Sequence, residues 1–146
     1  NNIVTACQTL VGLLRQLRAD FEVGLLSSLE SRVSGETFDD LLDHAELYLQ
    51  DSRHEPAGVL AGVVFEDTIR RLSIKHDIDP TGRELDNLLS ALKSKGILTK
   101  LEQKEGVTAA EVRAKATHAD WSAFNAEQAE ATIKFTRRII REKLVT

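Results

Sequence analysis

Apolar residues that recur every three or four positions constrain this chain more than any other feature. They begin at the first residues and form the stripe Ile3, Cys7, Leu10, Leu14, Leu17, Phe21 and Leu25. Such a repeat places apolar side chains on one face of an α-helix, in near-heptad form. The sequence therefore predicts one long helix that ends near Ser31. Further apolar residues widen the stripe, which favours packing within a bundle; a seam for a second copy or a partner is the alternative.

Turn and cap signals predict two more helices in the first half of the chain. Ser34–Gly35 is expected to break the helical pattern, and Thr37 is the predicted N-cap of a second helix that ends near Asp51–Ser52. Pro56 suits the first turn of a third helix, and the stretch from Asp77 to Gly82 is its stop. This third helix is apolar on all sides at its start, so it is predicted to be central and buried.

Glycines and capping residues organise the second half. A fourth helix is expected from Arg83 to Lys95, with Gly96 as its C-terminal cap. Ile97 to Gly106 is interpreted as a short helix that ends at Gly106. Thr108 and Glu111 are interpreted as a capping box that opens the next helix.

No segment alternates strictly between apolar and polar residues, and no Asn-Gly or Asp-Gly hairpin signal is present. Asn125 is the predicted cap of a final amphipathic helix. The predicted fold class is therefore all-α, a bundle of about five to six helices without a β-sheet. We expect residues 1–146 to form a single domain, and the missing initiator Met suggests that it is excised from a larger protein.

Composition limits the classes of function. The net charge is −4, so no global positive field attracts nucleic acid or an anionic membrane. No apolar run approaches the roughly 20 residues that span a bilayer, and no signal peptide is recognised. The single Cys7 gives no sign of an oxidising compartment, so we expect a cytoplasmic protein. No Gly-rich phosphate loop and no metal-ligand spacing is found, so no cofactor and no metal are predicted.

Arg113 and His118 are the residues with the clearest chemical potential. Arginine is always cationic and can brace a phosphate through two donors, whereas histidine titrates near neutrality and can move a proton. Together they could cleave RNA without a metal, by deprotonating a ribose 2′-hydroxyl that attacks the adjacent phosphate. Five positions turn a helix by about 140°, so the two side chains do not share a face of a straight helix. They converge only if the helix ends between them or if a second subunit completes the site.

The order of these features resembles the HEPN superfamily of all-helical domains. The resemblance covers roughly residues 41–144, and it is carried by the central helix Ala57-Gly-Val-Leu-Ala-Gly-Val-Val-Phe-Glu, the segment Leu85-Asp-Asn-Leu-Leu-Ser-Ala-Leu, and the Arg-x4-His motif of Arg113 and His118. It implies a homodimer whose motifs face each other in a cleft, and a metal-independent endoribonuclease of toxin–antitoxin or phage-defence systems. It also implies RNA, and an antitoxin or the other domains of a larger protein, as partners. Arg113 and His118 correspond to the catalytic pair, and Glu66 to the polar position of the central helix that faces the cleft.

Two alternatives stay open at this point. Members of the family that cleave RNA often carry Asn, Asp or His directly after the arginine, where this chain has Ala114. Together with the acidic net charge, this departure favours a non-catalytic HEPN-like dimerisation or interaction module. The second alternative is an unrelated bundle in which Arg113 is a surface residue.

A basic end on the last helix is a further candidate site. Arg137, Arg138 and Arg141 would hold an RNA phosphate backbone if they surround the motif. The alternative, which we favour, is that these cations offset the helix dipole at its C-terminus. Aromatic residues for stacking bases are nearly absent, so readout of RNA sequence by stacking is not predicted.

Overall fold

The computed structural model describes residues 2–22 and 28–145, which form six α-helices and, within these ranges, no strand. The helices are α1 (Asn2–Glu22), α2 (Ser28–Gln50), α3 (His54–Lys75), α4 (Leu85–Ser94), α5 (Lys100–Thr117) and α6 (Ala126–Ile139). A 3-10 turn, Trp121–Ala123, precedes α6, and a π-helical turn, Ile140–Leu144, follows it. The all-α bundle predicted from the sequence is confirmed. Within the described ranges, no helix is both long and apolar enough to cross a bilayer.

Helix α3 is the centre of the bundle and contacts all five other helices. Its first half packs with α1, α2 and α6 in one apolar cluster, in which Phe38, Leu42, Leu60 and Ile133 are almost fully buried. Its second half packs with α4, α5 and α6 in a second cluster that includes Phe65, Ile69, Leu72, Leu88, Leu92 and Phe135. The apolar start of α3 is thus buried on all sides, as its composition predicts.

Four successive helices end in the same backbone motif. At each end one residue takes a left-handed conformation, and two backbone N–H groups bond back to carbonyls of the last turn. The left-handed residues are Ser52, Asp77, Gly96 and Ala119, with φ of 60°, 62°, 77° and 55°. The predicted stop at Gly96 is confirmed, and so are Pro56 in the first turn of α3 and Asn125 as the cap of α6. The Asn125 side chain accepts a hydrogen bond from the Gln128 N–H.

The predicted break at Ser34–Gly35 is wrong, because α2 runs through it without interruption from Ser28. Thr37, the predicted N-cap, lies inside this helix. A glycine costs a helix interior only about 1 kcal/mol, so a single Gly35 is not sufficient to end a helix. The first helix is described to Glu22, so the predicted continuation of its stripe to Leu25 lies outside the described residues.

The predicted helix end at Gly106 is also wrong. Helix α5 is continuous from Lys100 to Thr117, and its capping box is Thr99 with Glu102 rather than Thr108 with Glu111. Gly106 is buried against α4, where a Cβ atom would stand 2.6 Å from Leu89 Cδ2. The glycine therefore allows two helices to approach closely instead of ending one of them.

Candidate functional site

Arg113 lies where α5 crosses α3 at short range. A Cβ atom on Gly62 of α3 would stand 2.9 Å from the Arg113 Cα, so only glycine fits without a backbone shift. The sequence predicts a close backbone approach at Gly58 and Gly62. It is confirmed at Gly62, whereas Gly58 packs against the ring of Phe124. Gly62 thereby allows α5 to lie close to α3 at the position of Arg113.

Glu66, one helical turn beyond Gly62, receives two guanidinium groups. Its carboxylate is buried, with only 5% of the residue exposed. Oε2 pairs with Arg113 Nε, and Oε1 accepts a hydrogen bond from Arg70 Nε at 3.1 Å. A buried carboxylate is stable only when it is paired, and two cations on one anion leave the trio with a formal charge of +1.

The two arginines of this trio differ in what else they bind. Arg70 Nη1 donates to the Pro80 carbonyl at 3.0 Å and Nη2 to the Arg83 carbonyl at 3.2 Å, so Arg70 fastens the α3–α4 loop. Within the described part of the chain, Arg113 forms no polar contact beyond the one between its Nε and Glu66. Its two Nη atoms therefore remain available as the two-donor edge that suits a phosphate.

His118 stands at the C-terminal cap of α5 and is exposed. The Ala119 N–H donates to the Ala116 carbonyl, and the Asp120 N–H donates to the Lys115 carbonyl, so the helix ends here. Among the described residues, no hydrogen bond or ion pair joins the side chains of His118 and Arg113. Arg113 faces α3, whereas His118 lies at the open end of its helix.

Arg113 separates two concave surfaces. The first, which we name the acidic cleft, lies between α3, α5 and the α3–α4 loop and has a volume of about 1000 Å³. Besides Glu66, its lining carboxylates are Asp67, Glu84, Asp86 and Glu111. The second, the α1 groove, lies between α1 and the surface formed by α3, α5 and Trp121 and has a volume of about 660 Å³. Thr117 and Ala119, the neighbours of His118, line the α1 groove.

The predicted phosphate-binding arginines of α6 are mostly engaged by carboxylates of this chain. Arg137 contacts Asp39, Asp43 and Glu46 of α2 at 2.8, 2.5 and 3.4 Å. Arg138 Nη2 lies 2.8 and 2.9 Å from the two oxygens of Glu105 on α5. Burial opposes the charge of Arg137, but the hydrogen bond to Asp43 and the neighbouring carboxylates outweigh it and raise the pKa of the guanidinium. These two side chains join α6 to α2 and α5, and only Arg141 is largely exposed.

Cys7 and the acidic residues are the other groups that could carry chemistry. Burial raises the pKa of the Cys7 thiol, which keeps it protonated and disfavours it as a nucleophile. Within the residues that the structure describes, no three His, Cys, Asp or Glu side chains are grouped so as to hold a metal ion. The chemistry of the site therefore centres on Glu66, Arg113 and His118.

Sequence reasoning missed two residues at this site. Arg70 binds both Glu66 and the α3–α4 loop. Trp121, three positions after His118, lines the α1 groove. Its position directly after the motif is the signal that could have identified it.

No protein-family model, curated protein or solved structure matches this chain. Its function must therefore be inferred from the geometry of its own residues.

Proposed function

We propose that this chain is a HEPN-like, metal-independent endoribonuclease that acts as a homodimer. The observation that carries the proposal is the state of Arg113: its Nε is fixed by the buried Glu66, and its Nη edge is unengaged by other described residues. An exposed His118 ends the same helix five positions later. The resemblance to HEPN domains supplies the biological setting, which is phage defence or a toxin–antitoxin pair.

The reaction we propose needs only a base, an acid and a fixed cation. Neutral His118 takes the proton of a ribose 2′-hydroxyl, and the 2′-oxygen attacks the adjacent phosphorus. The bond from phosphorus to the 5′-oxygen of the next nucleotide breaks, which leaves a 2′,3′-cyclic phosphate. The protonated imidazole of His118 then returns this proton to the leaving oxygen. Arg113 stabilises the charge on the phosphoryl oxygens.

The positions of Arg113 and His118 on α5 support a homodimer as the active form. Five positions rotate a helix by about 140°, so one chain does not direct both side chains to one phosphate. In a symmetric pair, Arg113 of one copy and His118 of the other would act on the same phosphate. Two equivalent sites would then lie across the twofold axis.

The decisive experiment is RNA cleavage by the purified chain in the presence of EDTA. We expect His118→Ala to lower the rate by roughly 10²–10⁴-fold, because a general base is removed. Arg113→Gln should also abolish most activity. His44→Ala is the matched control, since His44 is an exposed histidine of α2, and it should cleave at the unmodified rate. Equal cleavage by the unmodified chain and His118→Ala would refute the proposal.

A second candidate function is a non-catalytic HEPN-like dimerisation or interaction module of a larger protein. The observation that favours it is the exposed Ala114, which places no polar group beside Arg113. The Glu66 ion pair would then be the whole role of Arg113. A stable dimer in sedimentation that neither cleaves nor binds RNA would support this candidate, and RNA cleavage dependent on Arg113 would exclude it.

A further inference from the structure

The α1 groove differs from the acidic cleft in its charge. Its walls are mostly apolar and include Val11, Leu14, Val59, Val63 and Ala116. Its charged lining residues, among those described, are Arg15 and Arg113, and no Asp or Glu is found among them. The acidic cleft on the other side of Arg113 is lined by five carboxylates and four arginines, so its formal charge is −1, whereas that of the α1 groove is +2. An anionic ligand with an apolar, planar part is therefore favoured in the α1 groove.

Trp121 forms part of this groove and is held in place from behind. Its carbonyl oxygen lies 2.8 Å from His54 Nε2, which donates the hydrogen bond. The centroid of its ring lies 6.4 Å from that of the buried Phe124 ring, in an edge-to-face contact. The indole is half-buried, so part of its surface remains accessible at the groove. A fixed aromatic ring of this kind is a suitable platform for a nucleobase, because it loses little freedom on binding.

The groove also lies next to the proposed catalytic residues. Thr117 and Ala119, the neighbours of His118, line it, and so does Arg113, one helical turn before Thr117 on α5. Its volume of about 660 Å³ falls within the roughly 300–1,000 Å³ of small-molecule sites. One nucleotide in this groove would have the indole of Trp121 and the guanidinium of Arg113 around it.

We propose that the α1 groove binds one nucleotide of single-stranded RNA, with its base stacked on Trp121 and its phosphate on the Nη edge of Arg113. The inference deepens the proposed function, on which it rests, by naming the substrate as unpaired RNA. A base inside a duplex is already stacked on its neighbours and does not expose its face to an indole. Stacking accepts any base, so we expect little dependence on RNA sequence.

Trp121 is the only tryptophan of the chain, so its fluorescence reports directly on this groove. The probes are a short 2′-O-methyl RNA, which lacks the attacking hydroxyl, adenosine monophosphate, and ribose 5-phosphate, which lacks a base. We expect the first two to quench Trp121 and ribose 5-phosphate to leave its emission unchanged. Quenching by ribose 5-phosphate equal to that by adenosine monophosphate would overturn the stacking.

Binding of a labelled 2′-O-methyl RNA, followed by anisotropy, tests the same residues by substitution. Trp121→Leu should weaken binding by roughly tenfold, and Arg113→Lys, which keeps the charge but loses the two-donor edge, should weaken it as well. Arg83→Gln is the matched control, because Arg83 lines the acidic cleft. Its affinity should equal that of the unmodified chain, and a loss confined to Arg83→Gln would place RNA in the acidic cleft and refute the inference.

The outcomes separate this inference from the proposed function. One outcome is RNA cleavage that depends on His118, with unchanged Trp121 emission and unchanged RNA binding by Trp121→Leu. It would support the ribonuclease activity and refute nucleotide binding in the α1 groove. Quenching and Trp121-dependent binding without cleavage would support the groove and refute the ribonuclease.

Discussion

Glu66 determines how the single residues of the candidate site are arranged. Its buried carboxylate contacts Arg70, which fastens a loop, and Arg113, which faces both concave surfaces. One side chain therefore joins the stability of the bundle to the geometry of the site. Glu66 is a positioning residue in the proposed reaction, because it pairs with Arg113, the arginine that would bind the phosphate.

We expect Glu66→Gln to lower the free energy of unfolding by about 3 kcal/mol, because two half-buried guanidinium groups lose their anion. Urea denaturation followed by circular dichroism measures this loss. Glu111→Gln, which neutralises an exposed carboxylate of α5, is the control and should change stability by less than about 0.5 kcal/mol. A Glu66→Gln variant as stable as the control would show that the ion pairs contribute nothing.

Ala119 offers a test of the helix end beside His118. It takes a left-handed φ of 55°, which costs a residue with a Cβ atom roughly 1–2 kcal/mol. Part of this is recovered in Ala119→Gly, since glycine loses more backbone entropy on folding. We expect Ala119→Gly to stabilise the chain by about 0.5–1 kcal/mol in thermal or urea unfolding. Ala114→Gly, in the interior of the same helix, should destabilise it by about 1 kcal/mol. Two losses of equal size would contradict the left-handed cap.

Part of the site could be predicted from the sequence, and the physical reason for the rest is clear. The helix end at His118 and the buried polar position at Glu66 follow from local pattern and from resemblance. The pairing of Arg137 with Asp39, 98 positions away, does not, because pairing between distant helices leaves no local pattern. The α1 groove was missed for a related reason, because its walls come from helices that are distant in sequence, and only the position of Trp121 shortly after the Arg-x4-His motif points to it.

At the scale of helices, the correct and the wrong boundary predictions differ in the role that each glycine plays. Gly96 ends α4 because it alone takes the left-handed conformation there, whereas Gly106 continues α5. Both are glycines after amphipathic segments, and only the neighbouring helix distinguishes them, since Leu89 occupies the space of a Cβ at Gly106. The order of the helices could thus be predicted but not every boundary, since the two helices predicted on either side of Gly106 are the single helix α5.

Gly62→Ala tests the crossing of α3 and α5. The added Cβ would stand 2.9 Å from the Arg113 Cα, and backbone cannot move aside as a flexible side chain can. We expect a loss of about 1–3 kcal/mol in the free energy of unfolding, the range for overpacking a core. Gly12→Ala is the control with the opposite sign. No atom lies within 4 Å of its Cβ position, so helix propensity alone should stabilise the chain by about 1 kcal/mol.

A loss at Gly62→Ala should be accompanied by a change in the site, because the two helices can separate only by moving Arg113 away from Glu66. In a chain that cleaves RNA, this variant would lose activity even at temperatures where it remains folded. Full activity together with full stability would show that the two helices are not in close contact at Gly62.

At the scale of the whole molecule, side chains at the basic C-terminal end hold the bundle together. Arg137 joins α6 to α2, Arg138 joins it to α5, and Lys143 donates to the Ile97 carbonyl and lies 3.4 Å from Glu102. Lys75 of α3 donates to the carbonyls of Lys143 and Leu144. Most of the positive charge that the sequence places here therefore contacts the chain's own acceptors, and the acidic net charge of the chain is consistent with this use.

Glu102 makes part of this network dependent on pH. Burial raises the pKa of its carboxyl, but the hydrogen bond from the Thr99 N–H and the charge of Lys143 outweigh burial, so the pKa lies below its ordinary value of 4.5. A lowered pKa in the folded state means that the ionised carboxylate stabilises folding above pH 4.5. That contribution is lost as the pH falls from 4.5 through the folded-state pKa.

Glu102→Gln isolates this contribution because glutamine can still complete the capping box with Thr99 while lacking the charge. At neutral pH we expect the variant to be less stable by about 0.5–1 kcal/mol, from the lost attraction to Lys143 and to the N-terminus of α5. Well below pH 4.5 Glu102 itself becomes neutral, so the two proteins should converge in urea unfolding. A difference that stays constant across this range would mean that the ionisation of Glu102 does not stabilise the bundle.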